Sequence, residues 1–222
     1  METKCSVHIL EGFARKMGFK FWAGIDAIGL AMGIWAAWDD CCSVEVIRCH
    51  PRFILLRVID EMRRCWSLVI LYGHPYLCHR KDTWEFLGKV LVNFDLPLMS
   101  VRDYNQVLDP SDKHSTCSRG LVDVEWFREF VENFNLANIP GFGVHFIWTN
   151  NRKGRDVTFE RLDRAMANPL WLEFFPLAAL FVYSILHSDH SPLLVDTQWV
   201  FRRSGRGRPR RFKRGGCLWS CG

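Results

Sequence analysis

The chain has 222 residues, 49% of them hydrophobic and including 17 Phe and 10 Trp, enough apolar mass to bury one core of single-domain size. Its formal charge of +5 hides an asymmetry, because residues 202–214 hold seven Arg and one Lys while no acid follows Asp196. The remaining 21 basic and 24 acidic residues leave the body slightly negative, so attraction to polyanions is expected mostly in the tail and only weakly at a site on the body.

Nine cysteines, scattered and without any C-x-x-C, exclude a regular disulfide framework and read as reduced thiols of an intracellular protein. His74, Cys78 and His79 make half of a metal-ligand pattern whose second half is missing. The start Met1-Glu2-Thr3-Lys4 lacks the basic and apolar regions of a secretory signal. Residues 169–186 are apolar, yet Glu173 and Pro176 interrupt a stretch that would need about 20 clean residues to cross a bilayer. They read as buried core, and no membrane association is expected.

In chain order, residues 33–38, 44–49, 53–58 and 66–72 are rich in β-branched and aromatic side chains between polar or Pro-containing breaks, which predicts a meander of strands. A helix follows over residues 79–94, where Trp84, Leu87, Leu91 and Phe94 recur at helical spacing and Asp82 and Glu85 suit the positive end of the helix dipole. Residues 96–101 are strand-like. Residues 122–134 repeat the helical pattern with Phe127, Phe130, Val131 and Phe134 on one face, and a strand resumes at 144–148. This order predicts an α+β fold, a four-layer αββα sandwich of two mixed or antiparallel sheets with helices outside. One domain is expected over residues 1–200, and the Arg, Gly and Pro of 201–222 read as a basic tail, disordered or ordered by a partner.

Hydrolysis of a phosphodiester needs a cation at the phosphoryl oxygens, a carboxylate to hold it, a group orienting the attacking water and help for the leaving oxygen. Asp103 and Asn105, one residue apart at a predicted strand end, would share a face with Tyr104 turned away, although D-x-N is also an ordinary turn pattern. Asp189 and His190, adjacent in an extended segment, would face opposite ways, one toward a metal and one toward phosphate, or simply form a polar loop. Asp163, within Arg161-Leu162-Asp163-Arg164, is placed to hold a histidine charged; alone it is a salt-bridge pattern.

Six segments stand in the order and spacing of a known set of motifs: Glu2-Thr3-Lys4 for E-T-K, Tyr72-Gly73-His74-Pro75 for Y-G-x-P, Asp103-Tyr104-Asn105 within G-D-F-N, Phe146-Ile147-Trp148-Thr149-Asn150 for F-T-W-x-N, Glu160-Arg161-Leu162-Asp163-Arg164-Ala165 for E-R-L-D-R-A, and Ser188-Asp189-His190-Ser191-Pro192-Leu193 for S-D-H-x-P-L. With them, residues 1–197 resemble the endonuclease domain of plant LINE (non-LTR) retrotransposons, a branch of the deoxyribonuclease I-like endonuclease/exonuclease/phosphatase superfamily. The resemblance implies Glu2 as a metal ligand and Asp189 as a second ligand or a residue behind His190. It implies Asp103 orienting or deprotonating water, Asn105 holding phosphate or water, and Tyr72 contacting the scissile phosphate. Asp163 would orient His190, whose imidazole stabilises developing charge. Magnesium, with manganese as a substitute, is the implied cofactor and DNA the implied partner.

The chain also departs from that pattern. The family has a strand before E-T-K that carries an Asn in a W-N-x-R-G context, so the sandwich is expected to lack its first strand and the site to be impaired. Arg102 stands where the family has the Gly of G-D-F-N, and a long cation there is expected to obstruct the site. Two other readings remain: a phosphomonoesterase of the same superfamily, or an inert globular part whose Arg-rich tail binds nucleic acid. The basic tail is compatible with a nuclear address.

Overall fold

The structure is a computed structural model that describes residues 7–27, 33–93, 96–115, 124–150, 152, 154–183 and 190–199. The expected metal ligands Glu2 and Asp189 and the basic tail 201–222 lie outside the described residues.

The chain opens with helix α1 (Val7–Met17) and the hairpin β1 (Phe21–Ile25) and β2 (Ile34–Trp38). The meander β3 (Ser43–His50), β4 (Phe53–Ile59) and β5 (Cys65–Tyr72) follows, then α2 (Arg80–Leu91) and β6 (Leu98–Asp103). Next come β7 (Lys113–Ser115), α3 (Glu125–Asn133), β8 (Ala137–Asn138), β9 (Gly141–Gly143), β10 (Trp148–Thr149) and β11 (Thr158–Glu160). The last elements are β12 (Asp163–Ala167), α4 (Pro169–Phe174), β13 (Ala179–Val182) and β14 (Leu193–Asp196).

A six-stranded sheet in the order β3-β4-β5-β6-β12-β8 is the centre of the molecule. Its strands pair antiparallel except β5 with β6, and that parallel step is the one joined by a helical crossover, α2. The two-residue period of the strands sorts side chains onto two cores. Leu55, Val69 and Leu71 meet Trp84 and Leu87 of α2 and Phe127 and Phe130 of α3 on one face. On the other face, Leu56, Leu68 and Ile70 pack on Ile34 of β2, Leu180 of β13 and Val195 of β14, with Trp171 and Phe175 filling the space near α4. Outside β1 and β2, α1 buries Leu10 and Ala14. These are four layers, helices outside and strands within, an αββα arrangement. Among the described residues the second strand layer is formed by the ladders β1-β2 and β14-β13-β9, and β10-β11-β7 make a further three-stranded sheet.

Two expectations shift. The strand expected at 144–148 does not form: β9 ends at Gly143, where it pairs parallel to β13, residues 144–147 are not strand, and pairing resumes only where Trp148 of β10 meets Glu160 of β11. The apolar stretch from residue 169 splits into α4 and β13 where Phe175 and Pro176 end the helix, and no helix among the described residues is long and apolar enough to cross a membrane.

Trp171 is fully buried, with ring centroids 5.9 Å from Trp66 and 4.5 Å from Phe175. Trp171→Ala is expected to destabilise the fold by about 3–5 kcal/mol in urea unfolding through the cavity it leaves. Leu177→Ala, at a residue 54% exposed, should stay within about 0.5 kcal/mol.

Candidate active site

The ends of β5 and β6 and the start of β12 bring three of the expected residues into one row. Tyr72 of β5 is opposite Asp103 of β6, and Asp103 is opposite Asp163 of β12. By the strand period Asp103 shares the face of Met99 and Val101, so the row lies over the core between the strand layers. All three side chains are buried.

His190 joins this row from a distant segment. Its backbone bridges Trp148 of β10, and the adjacent Ser191 N–H donates to the Ile147 carbonyl at 3.1 Å, which fixes the approach of the imidazole. Nδ1 lies 2.6 Å from Asp163 Oδ2 and Nε2 lies 4.0 Å from Asp103 Oδ2. The ring therefore stands between two carboxylates. Burial pulls the His190 pKa down, but the hydrogen bond and charge of Asp163 together with the charge of Asp103 override it and raise it to about 9. For Asp103, burial first and then the charge of Asp163 push the carboxyl up to about 7, against opposing pulls from His190, the Asn105 N–H and Arg102.

Asn105 reaches the site differently from the strand alternation expected of it. β6 ends at Asp103, Tyr104 turns into the helical core, and Asn105 adopts a left-handed φ of 50°. Its N–H donates to Asp103 Oδ1 at 2.7 Å, an Asx-type turn, and Nδ2 donates to the Gly73 carbonyl at 2.9 Å. Gly73 is required there: its N–H donates to the Asp103 carbonyl at 2.8 Å, and a Cβ would fall 2.0 Å from the Tyr104 carbonyl oxygen. Tyr72 is packed against Arg52, whose guanidinium carbon is 5.6 Å from the ring centroid.

The segment 160–165 ties this row to the neighbouring loop. Arg164, 1% exposed, donates from Nη2 to Asp112 Oδ2, which also accepts the N–H groups of Leu108 and Asp109. Arg161 N–H donates to the Asp112 carbonyl, and Glu160 pairs with Lys113 at 2.8 Å. Asp112 was not singled out from the sequence, although Asp109-Pro110-Ser111-Asp112 has the form of a capping box, which the structure contains. Arg52, after Pro51 in a tight turn, carries no comparable sequence signal. Asn150 organises the β10–β11 connection: its Nδ2 donates to the Asp156 carbonyl at 2.8 Å and its Oδ1 accepts the Thr158 N–H at 3.1 Å. Among the described residues no three His, Cys, Asp or Glu converge as metal ligands.

No family model and no curated protein matches the sequence. Solved structures do match the fold. The endonuclease domain of TRAS1, a telomere-specific non-LTR retrotransposon, superposes with a TM-score of 0.60 over 88% of this chain and 91% of that chain, at 13% identity. An AP endonuclease from Archaeoglobus fulgidus gives a TM-score of 0.61 over 88% and 86% at 17% identity. The 3′ phosphatase NExo from Neisseria, bound to product DNA hairpin, gives 0.60 over 89% and 87% at 14% identity. At these identities the likeness is one of fold, and the fold is that of endonuclease/exonuclease/phosphatase proteins.

Both pKa shifts are upward, so in each case the folded state binds more protons than the unfolded chain over the interval between the two values. The stabilising contribution of His190 is full below its unfolded value of 6.5 and is lost as pH rises through about 9; that of Asp103 is lost as pH rises from 3.8 through about 7. Asp163→Asn is expected to lower the His190 pKa and flatten the decline in stability between about pH 6.5 and 9. Imidazole titration by NMR, with urea unfolding at stepped pH, measures both.

Proposed function

We propose that this chain is a phosphodiester hydrolase of the endonuclease/exonuclease/phosphatase class, a DNA-nicking endonuclease of LINE type, with Tyr72, Asp103, Asn105, Asp163 and His190 as its site. The observation that carries the reading is the imidazole of His190 between Asp163 and Asp103, 2.6 Å from one and 4.0 Å from the other. Asp163 accepts a hydrogen bond from Nδ1–H and leaves Nε2 directed to the side where Asp103 and a substrate phosphate would meet. With its pKa raised to about 9, His190 is cationic at neutral pH and can stabilise charge developing on a phosphoryl oxygen. Asp103, raised to about 7, is matched to accepting a proton from an attacking water near neutral pH. Asn105, with Nδ2 committed to Gly73, presents its amide oxygen to that water.

The donor chemistry suits magnesium, since two adjacent buried carboxylates and an amide are hard oxygen ligands, and the Asp103 carboxyl, raised by burial and then by the charge of Asp163, is one that a cation would hold ionised. Glu2 and Asp189 would complete the ligand set. When bound, the ion supplies positive charge at the phosphoryl oxygens.

Conversion of supercoiled plasmid to the nicked form in magnesium tests the reading. His190→Ala and Asp163→Asn are expected to lower the rate by about 10²–10⁴-fold while both proteins remain folded. Chelation should abolish it. Nicking that persists in His190→Ala would remove the proposed site from the reaction, and phosphate release from small monoesters without plasmid nicking would favour a phosphomonoesterase.

A second reading rests on the composition of residues 202–214, whose seven Arg and one Lys form a polycation attached to a slightly acidic body. Deleting residues 201–222 is expected to abolish salt-sensitive retention on immobilised DNA. Unchanged retention by the shortened chain would rule the tail out as the binding element.

A further inference from the structure

The outer face of the ladder β14-β13-β9 is aromatic. Leu180 of β13 and Val195 of β14 turn inward to the core between the strand layers, so the two-residue period turns Phe181 and Leu194 outward, where the register sets them opposite each other. Phe142 of β9 is opposite Phe181 on the other side, and the two rings lie nearly parallel, 21° apart in plane with centroids at 5.6 Å. Trp199 joins them from beyond β14: its N–H donates to the Leu177 carbonyl at 3.1 Å, and its ring stands edge-on to Phe181 at 4.7 Å. Tyr183, whose N–H donates to the Pro192 carbonyl at 3.0 Å, follows β13 and by the same period shares the face of Phe181.

A layered fold covers its apolar sheet faces. Helix α1 does so for β1 and β2, whereas among the described residues no helix packs comparably on β9, β13 or β14. Phe142 is accordingly 44% and Tyr183 45% exposed, a clustering of open rings that marks a binding surface. The neighbouring charge specifies the partner. Residues 202–214, with seven Arg and one Lys, begin three residues after Trp199, and no acid follows Asp196. The partner must then be flat and apolar where it meets the rings and anionic where it meets the arginines. Single-stranded nucleic acid is both, since its bases stack on aromatic side chains while its phosphates pair with cations. A duplex keeps its bases stacked on one another and offers mainly phosphates, and an anionic bilayer has no planar groups to match the rings.

We propose that this face is a base-stacking platform for single-stranded nucleic acid, its surface formed by Phe142, Phe181, Tyr183 and Trp199 and its phosphate-holding charge supplied by residues 202–214. The charge rests on the reading of those residues as a nucleic-acid-binding tail; the stacking surface does not, and neither depends on the hydrolase reading. The platform lies on the outer side of the second strand layer, and the row of Asp103, Asp163 and His190 lies on its inner side. A strand held here is therefore held away from the site.

The test is fluorescence anisotropy of the full chain with a labelled oligothymidylate and with its duplex, both in chelator so that no strand is cut. Phe142→Leu keeps an apolar side chain and removes the ring, while Phe142→Tyr keeps the ring. Single-strand affinity is expected to fall about tenfold in Phe142→Leu and to stay within about twofold in Phe142→Tyr, with duplex affinity moved by neither. Tyr183→Leu, beyond the end of β13, repeats the loss at a ring that no strand pairing depends on. Phe13→Leu, at an equally exposed ring on α1, should change nothing. Equal single-strand affinity in Phe142→Leu, Tyr183→Leu and the unaltered chain would overturn the proposal. So would the absence of any preference for single strand over duplex, or ring-dependent binding to phosphatidylserine vesicles without ring-dependent binding to the oligonucleotide. Raising the salt separates the face from the tail, because screening weakens phosphate contacts and spares stacking. A shallow salt slope with the Phe142→Leu loss intact leaves the platform standing and the tail reading fallen. A steep slope with no loss in Phe142→Leu does the reverse.

Discussion

Two carboxylates, Asp103 and Asp163, face each other across an antiparallel pair in the interior, and neither the sheet nor the site is comfortable with that arrangement unless a positive charge is brought to it. Like charges directly opposite on neighbouring strands repel, and burial strengthens the repulsion. His190 answers the need from across the fold by accepting a proton and holding it between them. The same demand explains why Asp103 resists ionisation and why hard cations suit the place. The chemistry proposed for the site and its local stability thus draw on one electrostatic imbalance.

The imbalance is kept in position by uncharged and well-compensated neighbours. Gly73 lets the end of β5 lie directly on the Tyr104 backbone, so Asn105 can bond across to it without a Cβ in the way. On the helical side of the sheet, Arg164 and Asp112 neutralise each other and anchor residues 108–112, which keeps the loop after Asn105 from moving away. Such buried pairs add specificity more than net stability, because desolvation offsets much of their attraction. The row Tyr72, Asp103, Asp163 is then held by strand register, the most rigid positioning device the fold has.

Much of this fold could be read from the sequence because the central sheet advertises itself. β4 and β5 are nearly continuous β-branched and apolar runs, as strands buried on both faces must be, and α2 carries Trp84, Leu87 and Leu91 at helical spacing. Helix α1 was not legible: it has no acidic residue in its first turn, and its apolar residues split between buried Leu10 and Ala14 and exposed Ile9, Phe13 and Met17. β1 hides behind Ala23-Gly24, whose small side chains give little strand signal. At the site, the motif order singled out Asp103, Asp163 and His190, but the left-handed turn at Asn105 and the partnership of Asp112 with Arg164 depend on three-dimensional packing. A period-two reading cannot anticipate a residue that leaves the strand by reversing the sign of φ.

The central sheet is also a statement about time. The β3-β4-β5 meander closes through tight turns and can form as soon as its own residues are available. β12, by contrast, must enter between β6 and β8 after the whole of α3 has been passed, and His190 arrives later still, from beyond α4 and β13. Assembly of the site therefore waits on contacts between segments far apart in the chain. A chain in which β12 and His190 had yet to dock would hold Asp103 on an open strand edge, without the burial and neighbouring charge that raise its proton affinity.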